Sequence, residues 1–210
     1  MRLIVLALLI LVSAPVQAAE FSKHEWVIYG EDTVFPFGAF DSANPSHDAL
    51  LNRSHSAVLT AMEEEPFTQM SKAGALIRVT VMPARSTPFV FRVSQSEDGF
   101  AVDFKLAWGI ATNPGGVKTQ DRFELGADAF LSALAALQKM GVCQEAPRAT
   151  AKQSNSIWIV ETLNGPYCIR AYAAPVGQDA VALLAALSSP LRGIPSVVGR
   201  EMNQAPVIGE

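Results

Sequence analysis

Apolar and polar residues alternate along the middle of the chain, which is the pattern of strands that bury one face of a sheet. The alternation is clearest between Phe100 and Trp108, where every second residue is large and apolar. Asp98 and Gly99, just before this stretch, form a dipeptide typical of tight hairpin turns. The pattern predicts antiparallel strands with one buried and one wetter face over residues 75–82, 89–95, 100–108 and 119–125, with a loop over 109–118.

Helical spacing of apolar residues predicts three helices, over residues 46–62, 127–140 and 178–187. The second is the best defined, because Asp128 and Lys139 suit its two ends and Gly141 follows where a left-handed cap belongs. The first has Ser46 as its predicted cap, but its interior contains Asn and Ser residues that form helices poorly. The acidic residues 63–65 that follow it are interpreted as a solvated helix end rather than an ion site.

Two further features complete the predicted fold. Residues 156–162 and 167–174 are β-rich runs around an Asn164-Gly165 turn, and they predict a second hairpin. The Gly- and Pro-rich residues 30–45 predict an ordered loop whose phenylalanines pack in part on the body. Strands in a run, with helices between and after them, predict an α+β fold, in which two or three helices pack on one face of an antiparallel sheet.

The N-terminal end has the three parts of a secretory signal peptide, predicted over residues 1–18. Arg2 provides the positive charge, and residues 3–12 form the apolar core. Residues 13–18 include the small residues of a cleavage site and predict cleavage after Ala18. A membrane anchor is the alternative, but a spanning helix needs about 20 apolar residues.

Beyond residue 18 the chain is long enough for one domain with a substantial core, predicted over residues 19–190. Residues 191–210 show no apolar periodicity and predict a flexible tail. Cleavage reduces the 16 basic residues to 15 against 20 acidic ones, which gives a net charge of −5. A weakly acidic chain without a basic cluster argues against nucleic acid and anionic membranes as partners.

The chain has two cysteines, Cys143 and Cys168, and export would place both where disulfides persist. A bond between them is therefore predicted. A redox-active pair is the alternative, but such pairs usually lie within a Cys-x-x-Cys motif that favours the thiolate. The cysteines thus indicate a structural disulfide in a periplasmic or secreted protein.

Few residues are candidates for chemistry. The histidines His24, His47 and His55 have no metal-ligand spacing and are interpreted as surface residues, so no metal or cofactor is predicted. Asp103 and Glu161 lie on predicted strands and could act as paired carboxylates, although the wetter face of a sheet often carries such acids. The chain has no nucleophile elbow and no zinc-protease motif.

Four aromatic residues on predicted strands could line a ligand groove or pack in the core: Trp108, Trp158, Tyr167 and Tyr172. Residues 52–54, Asn-Arg-Ser, match an N-glycosylation acceptor, which is a match that occurs often by chance. Neither feature selects a particular ligand.

The order of motifs around the second hairpin resembles that of small secreted bacterial proteins of unknown function. An arginine on each of two neighbouring strands is followed by W-x-x-E, G-x-Y and a proline, here Arg78, Arg92, Trp158, Glu161, Gly165, Tyr167 and Pro175. The resemblance spans residues 77–187. This chain has Tyr172 where the pattern has an arginine, and carries Arg170 instead; its cysteine pair does not belong to the pattern. The resemblance implies a fold and an exported location, but no activity.

These observations predict an exported, non-enzymatic binding or interaction protein of the bacterial envelope, whose partner is another exported or envelope protein or a small ligand. The alternative is an envelope hydrolase that uses a histidine, Asp103 or Glu161 as its acid or base. A structural envelope component that forms a homo-oligomer is a third alternative.

Overall fold

Six strands form one continuous antiparallel sheet. The computed structural model describes residues 33–70, 74–97, 99–143, 156–163, 166–173, 177–193 and 195–203. Its strands are β1 Ala75–Pro83, β2 Phe89–Ser96, β3 Gly99–Ile110, β4 Asn113–Leu125, β5 Ser156–Thr162 and β6 Cys168–Ala173. They are ordered β4-β3-β2-β1-β5-β6. Because β1 pairs with β5, the early strands and the late hairpin belong to the same sheet.

Four helices longer than one turn accompany the sheet in these ranges: α1 Pro45–Ala61, α2 Ala127–Met140, α3 Gln178–Ser188 and α4 Ser196–Met202. A single helical turn, Phe67–Met70, follows α1. The predicted α+β fold is confirmed, and β5 and α2 have the bounds that the sequence predicted. Within the described ranges, no helix has the length and apolar character needed to cross a membrane. The predicted signal peptide, His24 and the Asn164-Gly165 turn lie outside the described residues.

The sheet is covered on both faces, whereas the sequence predicted helices on one face and a wetter second face. On the first face, residues such as Val79 and Phe91 pack in a core with α2, α3 and α4. On the second face, Val90 and Ile159 pack against α1 and residues 34–40. The packing of Phe35 and Phe40 in this second core confirms that the early loop lies on the body.

Capping residues set the ends of α1 and α2. The side chain of Asn44, not Ser46, caps α1 by accepting a hydrogen bond of 3.1 Å from the backbone N–H of His47. Gly141 ends α2 in the left-handed conformation with a φ of 64°, as its position in the sequence predicted.

The prediction of a flexible tail over residues 191–210 is wrong for α4. Val197 and Val198 are buried in the first core, and the indole N–H of Trp158 donates to the Glu201 carboxylate at 3.2 Å. The helix is too short to show apolar periodicity, so its burial could not be read from the sequence pattern.

The β3–β4 hairpin extends past the end of β2, which pairs with β3 only as far as Leu106. We call this extension, residues 107–118, the hairpin arm. The sequence predicted a loop over 109–118, but both strands continue through most of it. Gly109 is required near its end, because its φ is 76° and a Cβ atom there would lie 2.3 Å from the Asn113 carbonyl oxygen.

The predicted disulfide between Cys143 and Cys168 is present, with the two Cα atoms 5.2 Å apart. Cys143 follows α2 and Cys168 opens β6, so the bond joins the helical layer to an outer strand of the sheet.

Replacing both cysteines with serine should lower the free energy of unfolding by about 3.5 kcal/mol, because the bond closes a loop of 25 positions and restricts the unfolded chain. Urea denaturation with and without reductant would measure the loss. Reductant should destabilise the native protein and leave the double variant unchanged. Equal stability of the oxidised and reduced native protein would contradict this prediction.

Candidate functional site

A row of charged side chains crosses the second face of the sheet. Neighbouring strands contribute residues that lie opposite one another in register, namely Arg122, Asp103, Arg92, Arg78 and Glu161. Lys105 on β3 and Glu64, which follows α1, join them by ion pairs. We call these seven residues the ion network. Its charges alternate except where the two arginines of β1 and β2 lie side by side.

Arg78 and Glu161 form the innermost pair, and neither side chain is exposed to solvent. The guanidinium donates to both carboxylate oxygens, at 2.5 and 2.9 Å, and the Tyr167 hydroxyl donates to the same carboxylate at 2.8 Å. Burial by itself lowers the pKa of Arg78, but the charges of Glu161 and Glu64 outweigh it and raise the pKa. Burial and the charge of Glu161 raise the pKa of Tyr167 well above its usual value, so the phenol remains a neutral donor.

Glu64 is the second centre of the network. Its carboxylate lies 2.8 Å from the Lys105 amine, 3.2 Å from the Arg92 guanidinium and 3.5 Å from that of Arg78. The sequence interpretation of residues 63–65 as a solvated helix end is therefore wrong for Glu64, whose side chain is 1% exposed. It holds for Glu63 and Glu65, which are exposed.

The backbone at the end of α1 places Glu64 in this position. The N–H of Glu63 bonds the Thr60 carbonyl and the N–H of Glu64 bonds that of Leu59, which is the Schellman arrangement. Glu63 takes the left-handed conformation, with a φ of 54°, that this arrangement usually gives to glycine. The turn directs the next side chain onto the sheet instead of into solvent.

Residues 62–70, which we call the strap, are held over the charged face by cations of the sheet. The Lys105 amine donates to the carbonyls of Met62 and Glu63 at 2.9 and 3.0 Å, and Arg78 donates to the Glu65 carbonyl at 2.7 Å. The Arg78 guanidinium also lies 5.3 Å from the centre of the Phe67 ring. The strap thus covers the inner part of the network, where Arg78, Glu64 and Lys105 are buried, and it accepts the hydrogen bonds that the carboxylates do not. Arg122 at the β4 end remains 57% exposed.

The network is poorly suited to acid–base catalysis. Asp103 and Glu161 lie three strands apart, which corresponds to about 14 Å and exceeds the separation of paired catalytic carboxylates. Asp103 is paired with Arg92 and Arg122, and Glu161 with Arg78. Neither carboxylate faces a cleft, since their side chains are 6% and 0% exposed.

The two histidines that the structure describes, His47 and His55, do not form a common site. His55 is 6% exposed and its ring packs edge-on against Phe40 at 4.9 Å, so its prediction as a surface residue is wrong. Burial lowers the pKa of His55 to about 4 and keeps the ring neutral. His47 is more exposed and contacts Asp41 at 2.9 Å. Among the described residues, no three potential ligands are placed to hold a metal ion.

A polar stripe on α1 fastens the early loop. Asp48 accepts backbone hydrogen bonds from Gly38, Phe40 and Asp41 at 2.6 to 2.8 Å. Asn52, one turn further along, donates to two loop carbonyls at 3.0 and 3.1 Å. The residues that weaken α1 as a helix therefore attach it to the loop. Asn52 is fully buried, so its amide is closed to glycosylation.

The four aromatic residues predicted as a groove or core are dispersed. Trp158 is fully buried, and the Tyr172 hydroxyl donates to the Met140 carbonyl at 3.1 Å on the first face. Tyr167 belongs to the second face, where it contacts Phe67. Trp108 alone of the four is exposed, so these residues do not form one groove.

The hairpin arm presents an apolar surface to solvent. Trp108 is 55% exposed and Ile110 is 39% exposed. The amine of Lys118 lies 4.6 Å from the centre of the Trp108 ring, a cation–π contact that orients the indole. This surface combines an ordered aromatic side chain with access to solvent.

No known protein family, no curated protein and no solved structure matches this chain. The resemblance to small secreted bacterial proteins therefore stays a prediction. The proposed function rests on the geometry of the ion network and of the hairpin arm.

Replacing Glu64 with glutamine should lower the free energy of unfolding by about 3–5 kcal/mol, because three cations would lose their shared buried carboxylate. The matched controls are glutamine at Glu63 and Glu65, which are exposed and should change stability by less than about 0.5 kcal/mol. Urea denaturation of the three variants makes the comparison. A Glu64 variant as stable as its controls would refute the role of the network.

Because of His55, the free energy of unfolding should fall by up to about 3 kcal/mol as the pH drops from 6.5 to 4. In this window the unfolded chain binds a proton at His55 that the folded protein does not, so the contribution is complete above pH 6.5 and lost towards pH 4. His55→Gln should remove this part of the pH dependence, and His47→Gln should retain it. Denaturation curves measured between pH 6.5 and 4 give this dependence. If the free energy of unfolding changed with pH in the same way for His55→Gln and for the native protein, the assignment to His55 would be wrong.

Proposed function

We propose that this chain is an exported binding protein of the bacterial envelope, and that it recognises another exported or envelope protein through the hairpin arm. The observation that carries the proposal is Trp108, which is 55% exposed on an arm that extends past β2. Tryptophan is enriched at protein interfaces, where a few large residues supply most of the binding energy. Ile110 beside it increases the apolar area available to a partner.

The rest of the structure supports a rigid scaffold behind this arm. The ion network joins five strands and the strap, and the disulfide joins β6 to α2. A rigid scaffold reduces the conformational entropy that binding removes. The disulfide also supports an oxidising compartment, in agreement with the predicted signal peptide over residues 1–18.

The hydrolase alternative receives little support from its candidate residues. Asp103 and Glu161 are buried in separate ion pairs, and His55 is enclosed by the second core. A catalytic acid or base must reach a substrate within hydrogen-bond distance, and these side chains are closed to one.

A photo-cross-linking amino acid placed at position 108 tests the proposal in bacteria that export the protein. Illumination should give a discrete adduct with one envelope protein. The matched control is position 131, because Leu131 on α2 is 61% exposed yet lies outside the hairpin arm. Once the partner is purified, Trp108→Ala should weaken its binding about thirtyfold, as expected for an interface hot spot. No discrete adduct at 108, or the same adduct at 131, would refute the proposal.

A further inference from the structure

A second surface lies on the first face, where the helical cover ends beside β4. An open cleft of about 450 Å³ is present there, a volume within the range of small-molecule pockets. Phe104, Leu106 and Phe123 from the sheet line it together with Leu191, which follows α3. The cleft thus has an apolar lining on two sides.

Charged residues complete the lining of the cleft. Lys118 and Arg192 contribute two positive charges and Asp121 contributes one negative charge. The balance of one positive charge attracts an anion. The apolar lining favours an anion that carries an apolar chain over a phosphate, which is polar throughout.

The backbone of β4 directs Lys118 towards this cleft. Leu106 pairs with Thr119 and Ala107 with Val117, so Lys118 is an extra residue in the strand, which is the arrangement of a β-bulge. Bulges change the direction of a side chain, and here the lysine lies both at the cleft and over the Trp108 ring. Lys118 thereby lines the cleft from the base of the hairpin arm.

We propose that this cleft binds a fatty acid, a single apolar chain that ends in one carboxylate. The chain would cover the aromatic and aliphatic lining, and the carboxylate would pair with Lys118 and Arg192. This ligand site shares Lys118 with the hairpin arm that carries Trp108, whereas Arg192 lies outside the arm and belongs to the cleft alone.

Isothermal titration of the purified protein with decanoate, kept below the concentration at which it forms micelles, tests the assignment. Decanoate should bind, decanol should bind more weakly, and decylamine should not bind, because only the first matches both the lining and the charge. Added salt should weaken decanoate binding, since the cations are exposed. Absence of binding at millimolar decanoate, or equal binding of decanoate and decanol, would overturn the proposal.

Variants locate the ligand. Joint replacement of Lys118 and Arg192 by methionine should weaken decanoate binding about tenfold, because exposed ion pairs contribute modestly. Asp121→Asn should strengthen binding, and Lys139→Met on α2, remote in sequence and absent from the lining, should leave it unchanged. Equal affinity of the double variant and the native protein would overturn the site. Arg192→Met should not alter the adduct from position 108, so the partner surface and the ligand cleft can each be refuted without the other.

Discussion

Two arginine side chains lie opposite each other in the interior, and much of the second face is arranged to neutralise them. Arg78 and Arg92 are direct cross-strand neighbours, a placement in which like charges are unfavourable. Glu161 on β5 and Asp103 on β3 flank the two arginines, and Glu64 reaches both arginines from the strap. Because a buried charge without a partner is costly, the three carboxylates and the strap must be in place together.

This requirement explains features that are unfavourable in isolation. The left-handed conformation of Glu63 is strained for a residue other than glycine, yet it directs Glu64 onto the sheet. A network of this kind need not exceed the stability of an apolar core of the same volume. The network instead fixes the register in which β1 pairs with its neighbours. A slip of one residue in β1 would carry Arg78 to the first face, among apolar side chains and α2. The fold is thereby fixed behind a hairpin arm that remains free of the network.

Much of the fold could be predicted from local patterns, and the candidate site could be predicted only in part. The sequence identified α2 through its charged ends and Gly141, β5 through its β-rich run, and the disulfide through the cysteine count. It identified Asp103 and Glu161 as polar strand residues but not their partners. Arg78 was visible within an apolar run, and such a charge signals a buried partner without naming it.

The sequence by itself determined the elements whose signals lie within a few residues of one another, such as helical spacing, caps and strand alternation. The tertiary structure decided which face of the sheet is buried, which charges meet and which residues remain exposed. Glu64 meets Arg78 only because α1 lies across the sheet, and Arg78 meets Glu161 only because β1 pairs with β5, 83 positions away. Trp108 and Trp158 have the same chemistry, but one is exposed and the other fully buried, because exposure depends on contacts distant in the chain.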